Sequence, residues 1–521
     1  MQKSYVWSSV GSILLLIGAA MLLPVACGLY FQETEYLVFL GCAGVTVLVG
    51  FLLCFGLRPY NNIGKRGRLH KGTRVMMKDG YAIVTYGWIG AALFAMLPYL
   101  FTGTVHGVTD GLFEAVSGFT MTGATTLHEI EAVPRCVLLW RSLTQWFGGM
   151  GVLVLFVALL NGQNHGSLQL IRADGLNAAR QRLNLKMLET ASGLALIYVS
   201  HTVLLMLLYR LAGMGLFDAV NHGFTVISAG GFSTKTAGIA AYQSATIEWI
   251  TIFGMFLTGL NYTLFLHAWH NKSLSELKNS LELRVYLGLI FFASIAVIAL
   301  NAPEYHGTIS TLMRHGLFQV LSIITTAGFV VCDFEQWVVP AQLILILLML
   351  CGACAGAVGG GIKIDRHIIL IQKSIQEIRR FLHPNLVTRL KSNHQLLEDG
   401  VILSVNMFFY IYIALIVFGT AVVSMCGVEL LGALTAVLSC LGGIGPAFGQ
   451  AALYYGAMPL VAKWALIVLM LIGRLEVYAV MVLIHPLHRQ MRESDRIQVL
   501  KNLERDGVME PLVRDDDDDE A

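Results

Sequence analysis

Charge is what this sequence has least of. Asp, Glu, Lys and Arg make up 13% of its 521 residues, about half the ~25% of a soluble domain. That scarcity excludes a chain built mainly of water-solvated domains. Lys plus Arg (35) and Asp plus Glu (33) nearly cancel, so the net charge says little and its distribution says more. Enzyme motifs are missing too: there is no HExxH, no GxSxG and no phosphate-binding loop. Gly443-Ile-Gly445-Pro-Ala-Phe-Gly449 has the wrong spacing for a dinucleotide loop and contains a proline. No secretory leader is evident, because the apolar run from Val6 to Tyr30 has no small-residue cleavage site and reads as a first spanning helix. The nine cysteines lie mostly in apolar runs and read as reduced packing residues. Cys351-Gly-Ala-Cys354 has CxxC spacing but no βαβ context, which argues against redox or metal chemistry. Neither an organic cofactor nor a nucleic-acid partner is expected.

Long hydrophobic runs fill the space that charge leaves. Hydrophobic residues make up 56% of the chain. Ten runs approach or exceed the ~20 residues of a spanning helix: 6–30, 36–57, 81–101, 137–161, 191–213, 245–268, 284–301, 338–372, 400–424 and 456–484. The last eight form four pairs, and each pair brackets a short glycine segment. The segments are Thr120-Met121-Thr122-Gly123, Ser228-Ala229-Gly230-Gly231, Thr325-Thr326-Ala327-Gly328 and Gly442-Gly443-Ile444-Gly445. Their glycines are 108, 97 and 117 residues apart, a period that suggests one unit used four times. The expectation is an all-α membrane protein. Four pseudo-symmetric helix–pore loop–helix units surround one pore, preceded by an N-terminal helix pair. The units divide the chain at 1–80, 81–163, 164–270, 271–372, 373–485 and a tail at 486–521. Four backbone-exposing loops around one axis suit a cation filter, where carbonyl oxygens replace the ion's water shell.

Basic residues crowd 58–80, 164–190, 271–284, 363–391 and 489–505. By the positive-inside rule these segments and both termini are cytoplasmic. The glycine segments then enter from outside, near Asp110, Glu114, Asp218, Asp333 and Glu429, an acidic vestibule that would concentrate cations. Gly111-Leu112-Phe113, Gly215-Leu216-Phe217 and Gly316-Leu317-Phe318 precede three filter glycines by 12, 16 and 12 residues. The second unit is therefore expected to be one helical turn longer. The stretches between suit half-membrane helices whose negative ends face the membrane centre.

The run 338–372 contains Gly352, Gly356, Gly359, Gly360 and Gly361. Glycine costs about 1 kcal/mol against alanine inside a helix, so this run should be broken. Gly356, Ala357, Val358, Gly359, Gly360 and Gly361 are candidate gate residues. Arg474, inside the last span, is a second gate candidate or half of an ion pair, because a charge at that depth needs water or a partner. The aspartates 515–519 read as a solvated disordered tail.

The four glycine segments resemble the four filters of the Trk/Ktr/HKT superfamily of potassium transporters. So do Trp146-Phe-Gly-Gly-Met-Gly151 and Gly473-Arg474-Leu475-Glu476, and the extra helix pair resembles the bacterial TrkH/TrkG branch. That resemblance implies a K+-translocating subunit of a bacterial inner-membrane uptake system. It implies a homodimer, one pore per subunit, a cytosolic ring of TrkA-like nucleotide-binding subunits, and an intramembrane loop blocking the pore from below. The chain departs from the family at Met121, where threonine is common, at Gly442-Gly443, where relatives often have two asparagines, and at Ala357-Val358, where hydroxyl residues are common. Each change removes side-chain hydrogen bonding. The residues leave channel-like flux and symport equally open. A weakly selective or Na+-coupled cation transporter, a solute symporter with broken helices, and a non-conducting scaffold are the competing readings.

Overall fold

The computed structural model describes residues 3–56, 77–159, 187–271, 279–383, 390–392, 395–397, 399–452 and 454–475. Most of the basic segments 58–80 and 164–190, and half of 271–284, lie outside these residues. So do Glu476, the last nine residues of the run 456–484, the segment 489–505 and the aspartate tail.

The chain opens with α1 (Lys3–Ala20), its continuation α2 (Leu22–Phe31), and α3 (Tyr36–Gly56). Four groups of helices follow, each with a long helix, a short helix, an irregular loop and a further helix. The first is α4 (Met77–Phe101), α5 (Val108–Phe119) and α6 (Arg135–Leu159). The second is α7 (Met187–Leu211), α8 (Leu216–Ile227), α9 (Ala245–Thr258) and α10 (Tyr262–Asn271). The third is α11 (Leu281–Asn301), α12 (Ile309–Ile324), α13 (Val339–Cys351) and α14 (Ile364–Leu382). The fourth is α15 (Asp399–Met425), α16 (Leu430–Gly442) and α17 (Leu460–Arg474). A two-residue β pair joins Lys391–Ser392 to Gln395–Leu396.

Six described stretches are long and apolar enough to cross a membrane: 4–31, 36–56, 79–101, 191–211, 281–301 and 400–425. The protein is thus a multi-pass, all-helical membrane protein. Large apolar side chains such as Phe292 and Phe418 stay exposed on its flanks, each at 71%, as a lipid solvent permits. The N-terminal pair packs closely because α1 and α3 meet at glycines. A Cβ on Gly11 would lie 2.7 Å from the Gly50 carbonyl.

Three expectations need correction. The run 245–268 is not one helix: α9 stops at Thr258 and α10 begins at Tyr262. The run 338–372 is interrupted as expected, but its second part continues to Leu382. The second short helix is not one turn longer than the first, since both have 12 residues. The Gly-Leu-Phe motif there is out of register. Gly215 caps the start of α8, whereas Gly111 and Gly316 both lie eight residues before the helix end.

Candidate functional site

The short helices end alike. Met121 (φ 59°), Ala229 (φ 53°), Thr326 (φ 57°) and Gly443 (φ 70°) follow the last turn in the left-handed region. The next N–H donates back to a carbonyl five residues earlier. Thr122 reaches Ser117, Gly230 reaches Thr225 and Ala327 reaches Ser322, each at 2.9 Å, and Ile444 reaches Ser439 at 2.8 Å. This is the Schellman arrangement, whose left-handed position usually holds glycine. Another residue there costs about 1–2 kcal/mol, and β-branched Thr326 is the least expected. One residue further on, Gly123, Gly231, Gly328 and Gly445 are again left-handed, at φ 80°, 79°, 71° and 104°. Neighbours of alternating hand aim successive backbone dipoles to one side. Each helix also directs its negative end at its own loop.

The loops contact one another in a cycle. A Cβ on Gly123 would strike the carbonyl of Gly230, and one on Gly231 would lie 2.7 Å from that of Ala327. A Cβ on Gly328 would strike the carbonyl of Ile444, and one on Gly445 would lie 2.5 Å from that of Thr122. Each neighbour is the residue just before the glycine of another loop, so contacts run from loop one through two, three and four and back to one. The four loops close into a ring around one axis. Glycine is required at the four contacts by both φ and space.

Side chains hold the ring from behind. Gln145 on α6 donates to the Gly230 carbonyl and accepts the Phe232 N–H at 3.2 Å. Tyr455 donates to the Gly445 carbonyl at 2.8 Å. Thr120 and Thr325 each donate at 2.7 Å into their own helix, and Ser228 does so at 3.0 Å. Gly442 closes α16.

An open cavity of about 480 Å³ lies against the ring, lined by all four glycines and by Arg141, Lys235, Asp333 and Glu335. Its charge is mixed, which corrects the expected acidic vestibule. Of the five acids named from sequence, Asp333 alone lines this cavity. Glu114 is fully buried, paired with Arg141 at 2.7 Å, and accepts the hydroxyl of Thr125 and the N–H of Thr126. Asp110 pairs with Lys463 at 2.6 Å, and Asp218 accepts the Thr234 hydroxyl.

The glycine-rich segment between α13 and α14 packs against the ring. Gly352, Gly356 and Gly361 are left-handed there, as is Lys363. Gly360 donates its N–H to Thr326 Oγ1 at 2.8 Å. A Cβ on Gly359 would lie 2.5 Å from the Thr325 carbonyl, and one on Gly360 would strike that of Gly442. Cys354 donates to the Gly259 carbonyl, Tyr262 donates to that of Gly356, and Ala355 donates to Glu282. Arg474 donates to the carbonyls of Val358 (3.3 Å) and Gly148 (2.9 Å), with its guanidinium 5.7 Å from the Trp88 ring. Apart from the bond to Gly148, which lies on α6, these bonds reach the loop backbone. The missing hydroxyls at Ala357 and Val358 therefore do not leave the loop untied.

The sequence model of the TrkH family, described as a cation transport protein, matches residues 62–496. The chain belongs to the TrkH family. It is a transport protein and not an enzyme. The Trk system potassium uptake protein TrkH of Halomonas elongata is 34% identical over 480 residues, covering 91% of this chain and 97% of that protein. The protein of the same description from Escherichia coli K12 is 33% identical over 482 residues, covering 92% and 97%. The crystal structure of the potassium transporter TrkH from Vibrio parahaemolyticus superposes with a TM-score of 0.83 at 30% identity. It covers 93% of this chain and 99% of its own.

Against this TrkH frame, several site residues escaped sequence reasoning. Gly259-Leu260-Asn261 breaks the sixth span. Asn261 accepts the Thr263 N–H and caps α10, while the freed Gly259 carbonyl serves the gate-candidate loop. A glycine and an asparagine within an apolar run were the available signal. Gln145 and Glu282 carried none, because their partners lie 85 and 73 residues away.

Proposed function

We propose that this chain is the K+-translocating pore subunit of a Trk-type uptake system in the bacterial inner membrane, with both termini cytoplasmic. Backbone carbonyls of 120–123, 228–231, 325–328 and 442–445 replace the water shell of a K+ ion at the centre of the ring. The cyclic contact of Gly123, Gly231, Gly328 and Gly445 carries this reading. Four loops that abut in order enclose an axis, and non-helical backbone at membrane depth is stable only where it is buried or lines water. The relatives named as potassium uptake proteins support the choice of ion.

The segment Gly356–Gly361 gates the pore together with Arg474. It packs against Thr325, Thr326 and Gly442 on the ring, and Arg474 holds its Val358 carbonyl. Four pore units at 81–163, 164–270, 271–372 and 373–485 supply one wall each. The chain works as a homodimer, and its cytoplasmic basic segments dock a ring of TrkA-like nucleotide-binding subunits that moves the gate.

Uptake of K+, Rb+ and Na+ into proteoliposomes tests the reading. K+ and Rb+ should enter in preference to Na+, and Gly231→Ser or Gly328→Ser should reduce the preference. Deleting residues 355–360 should raise flux and remove its dependence on the cytosolic partner. Equal handling of all three ions by wild type and glycine variants would sink the filter. Unchanged or abolished flux in a folded deletion variant would sink the gate.

A further inference from the structure

Nine residues before each filter glycine, the short helices carry Glu114, His222, Gln319 and Ala436, all fully buried. Two residues after each filter glycine stand Thr125, Ser233, Val330 and Ala447. In the first two loops these positions bond to each other. Glu114 accepts the Thr125 hydroxyl at 3.0 Å, and His222 Nε2 lies 3.1 Å from the Ser233 hydroxyl. Each bond ties the outgoing chain of the loop to the helix that leads into it. In the fourth loop both positions are alanine and no bond is needed. Thr435 beside Ala436 accepts the Phe448 N–H at 3.0 Å instead.

The third loop is mismatched. Gln319 is polar and its counterpart Val330 is not. Among the described residues, neither Oε1 nor Nε2 of Gln319 has a hydrogen-bonding partner, although the side chain is wholly buried. Leaving a buried amide unmatched is costly, so an unmatched one in this position calls for a reason. The third helix keeps one side-chain tie to its outgoing chain, from Ser322 Oγ to the Phe329 carbonyl at 2.6 Å.

We propose that Gln319 is the third of a set of braces behind the filter, and that Val330 leaves it disengaged. The third loop is then the most yielding wall of the ring and sets how strictly the pore separates K+ from Na+. This rests on the reading of the four loops as the filter. A ring sized for K+ rejects Na+ only if its carbonyls resist moving inward onto the smaller ion, and the wall whose Gln319 brace is disengaged resists least. Gln319 is a positioning residue that acts through the loop and touches no ion.

Val330→Thr is nearly isosteric and supplies the hydroxyl that Thr125 and Ser233 supply elsewhere. In proteoliposomes of the full chain, the ratio of half-saturating Na+ to half-saturating K+ should rise about fivefold, the worth of one net hydrogen bond. Val330→Ser should raise it in the same direction. In the Gln319→Leu background, Val330→Thr should leave the ratio unchanged. Wild-type ratios in both single variants, a rise in thermal stability with no change in ratio, or the same rise in the Gln319→Leu background would each overturn the proposal. Gly328→Ser separates the two levels. If it shifts the ratio while Val330→Thr does not, the brace alone fails. If neither shifts it, the filter reading fails with it.

Discussion

Thr326 Oγ1 accepts the Gly360 N–H at 2.8 Å, so one hydroxyl joins the third loop of the ring to the gate-candidate loop. The same threonine is left-handed at φ 57°, a costly conformation for a β-branched residue. Strain of this kind persists where surrounding contacts over-determine it.

Thr326→Val keeps the shape and removes the acceptor. Losing about 1 kcal/mol of the loop's hold on the ring should raise K+ flux about fivefold in proteoliposomes without the cytosolic partner. Thr326→Ser should behave as wild type. Equal flux in all three proteins would show that the bond does not hold the gate.

The four ring glycines, Gly123, Gly231, Gly328 and Gly445, should not tolerate alanine equally. Each replacement carries a left-handed strain of about 1–2 kcal/mol, and crowding adds to it in order of the available space. Gly328 faces the tightest neighbour and Gly231 the loosest, with 2.7 Å from its Cβ position to the Ala327 carbonyl. Thermal stability and K+ half-saturation should both worsen most for Gly328→Ala and least for Gly231→Ala. The reverse order would contradict the ring packing.

Gly443 differs from these four. It is left-handed at φ 70°, but the nearest atom to a Cβ there is the Thr120 carbonyl oxygen at 3.7 Å. Asparagine tolerates this conformation better than other side chains. Gly443→Asn should therefore fold and transport nearly as wild type, whereas Gly443→Val should lose roughly 1–2 kcal/mol. A melting series on the purified proteins distinguishes them.

Arg474→Ala removes a positive charge and the bond to the Val358 carbonyl. Flux per folded molecule should increase, and Arg474→Glu should increase it further because the sign of the local field reverses. A lower yield with unchanged flux per folded molecule would instead make Arg474 a structural residue.

The Glu114–Arg141 pair is buried on both sides, at 0% and 1% exposure. Removing one partner of such a pair costs about 3–5 kcal/mol. Glu114→Ala should lower the melting temperature and the folded yield markedly. If Glu114 acted only by attracting cations, stability would stay constant and only the K+ half-saturation would rise.

Much of this was legible in the sequence, for local reasons. Gly123, Gly231, Gly328 and Gly445 stood out because close helix packing can account for one glycine between apolar spans but not for four at one period. The break after Cys351 was legible because glycine density opposes helix wherever it occurs. The left-handed residues before the ring glycines were not legible, because Met121, Ala229 and Thr326 are poor markers of that conformation and the Schellman bonds impose it. The role of Glu114 was misread because its partner Arg141 sits on another helix, 27 residues on. The Gly-Leu-Phe repeat misled for the opposite reason: at Gly215 the match in residue type is out of helical register.

Gly445 meets Thr122, and Lys463 meets Asp110 across 353 residues of chain. The first loop to leave the ribosome therefore acquires its last neighbour only from the final group of helices. Until then three loops stand without a fourth, and the cycle of contacts is open between the third loop and the first. Contacts of such long sequence separation form late. A chain interrupted before α15 lacks the fourth loop, so neither Gly328 nor Thr122 has its partner and the ring cannot close.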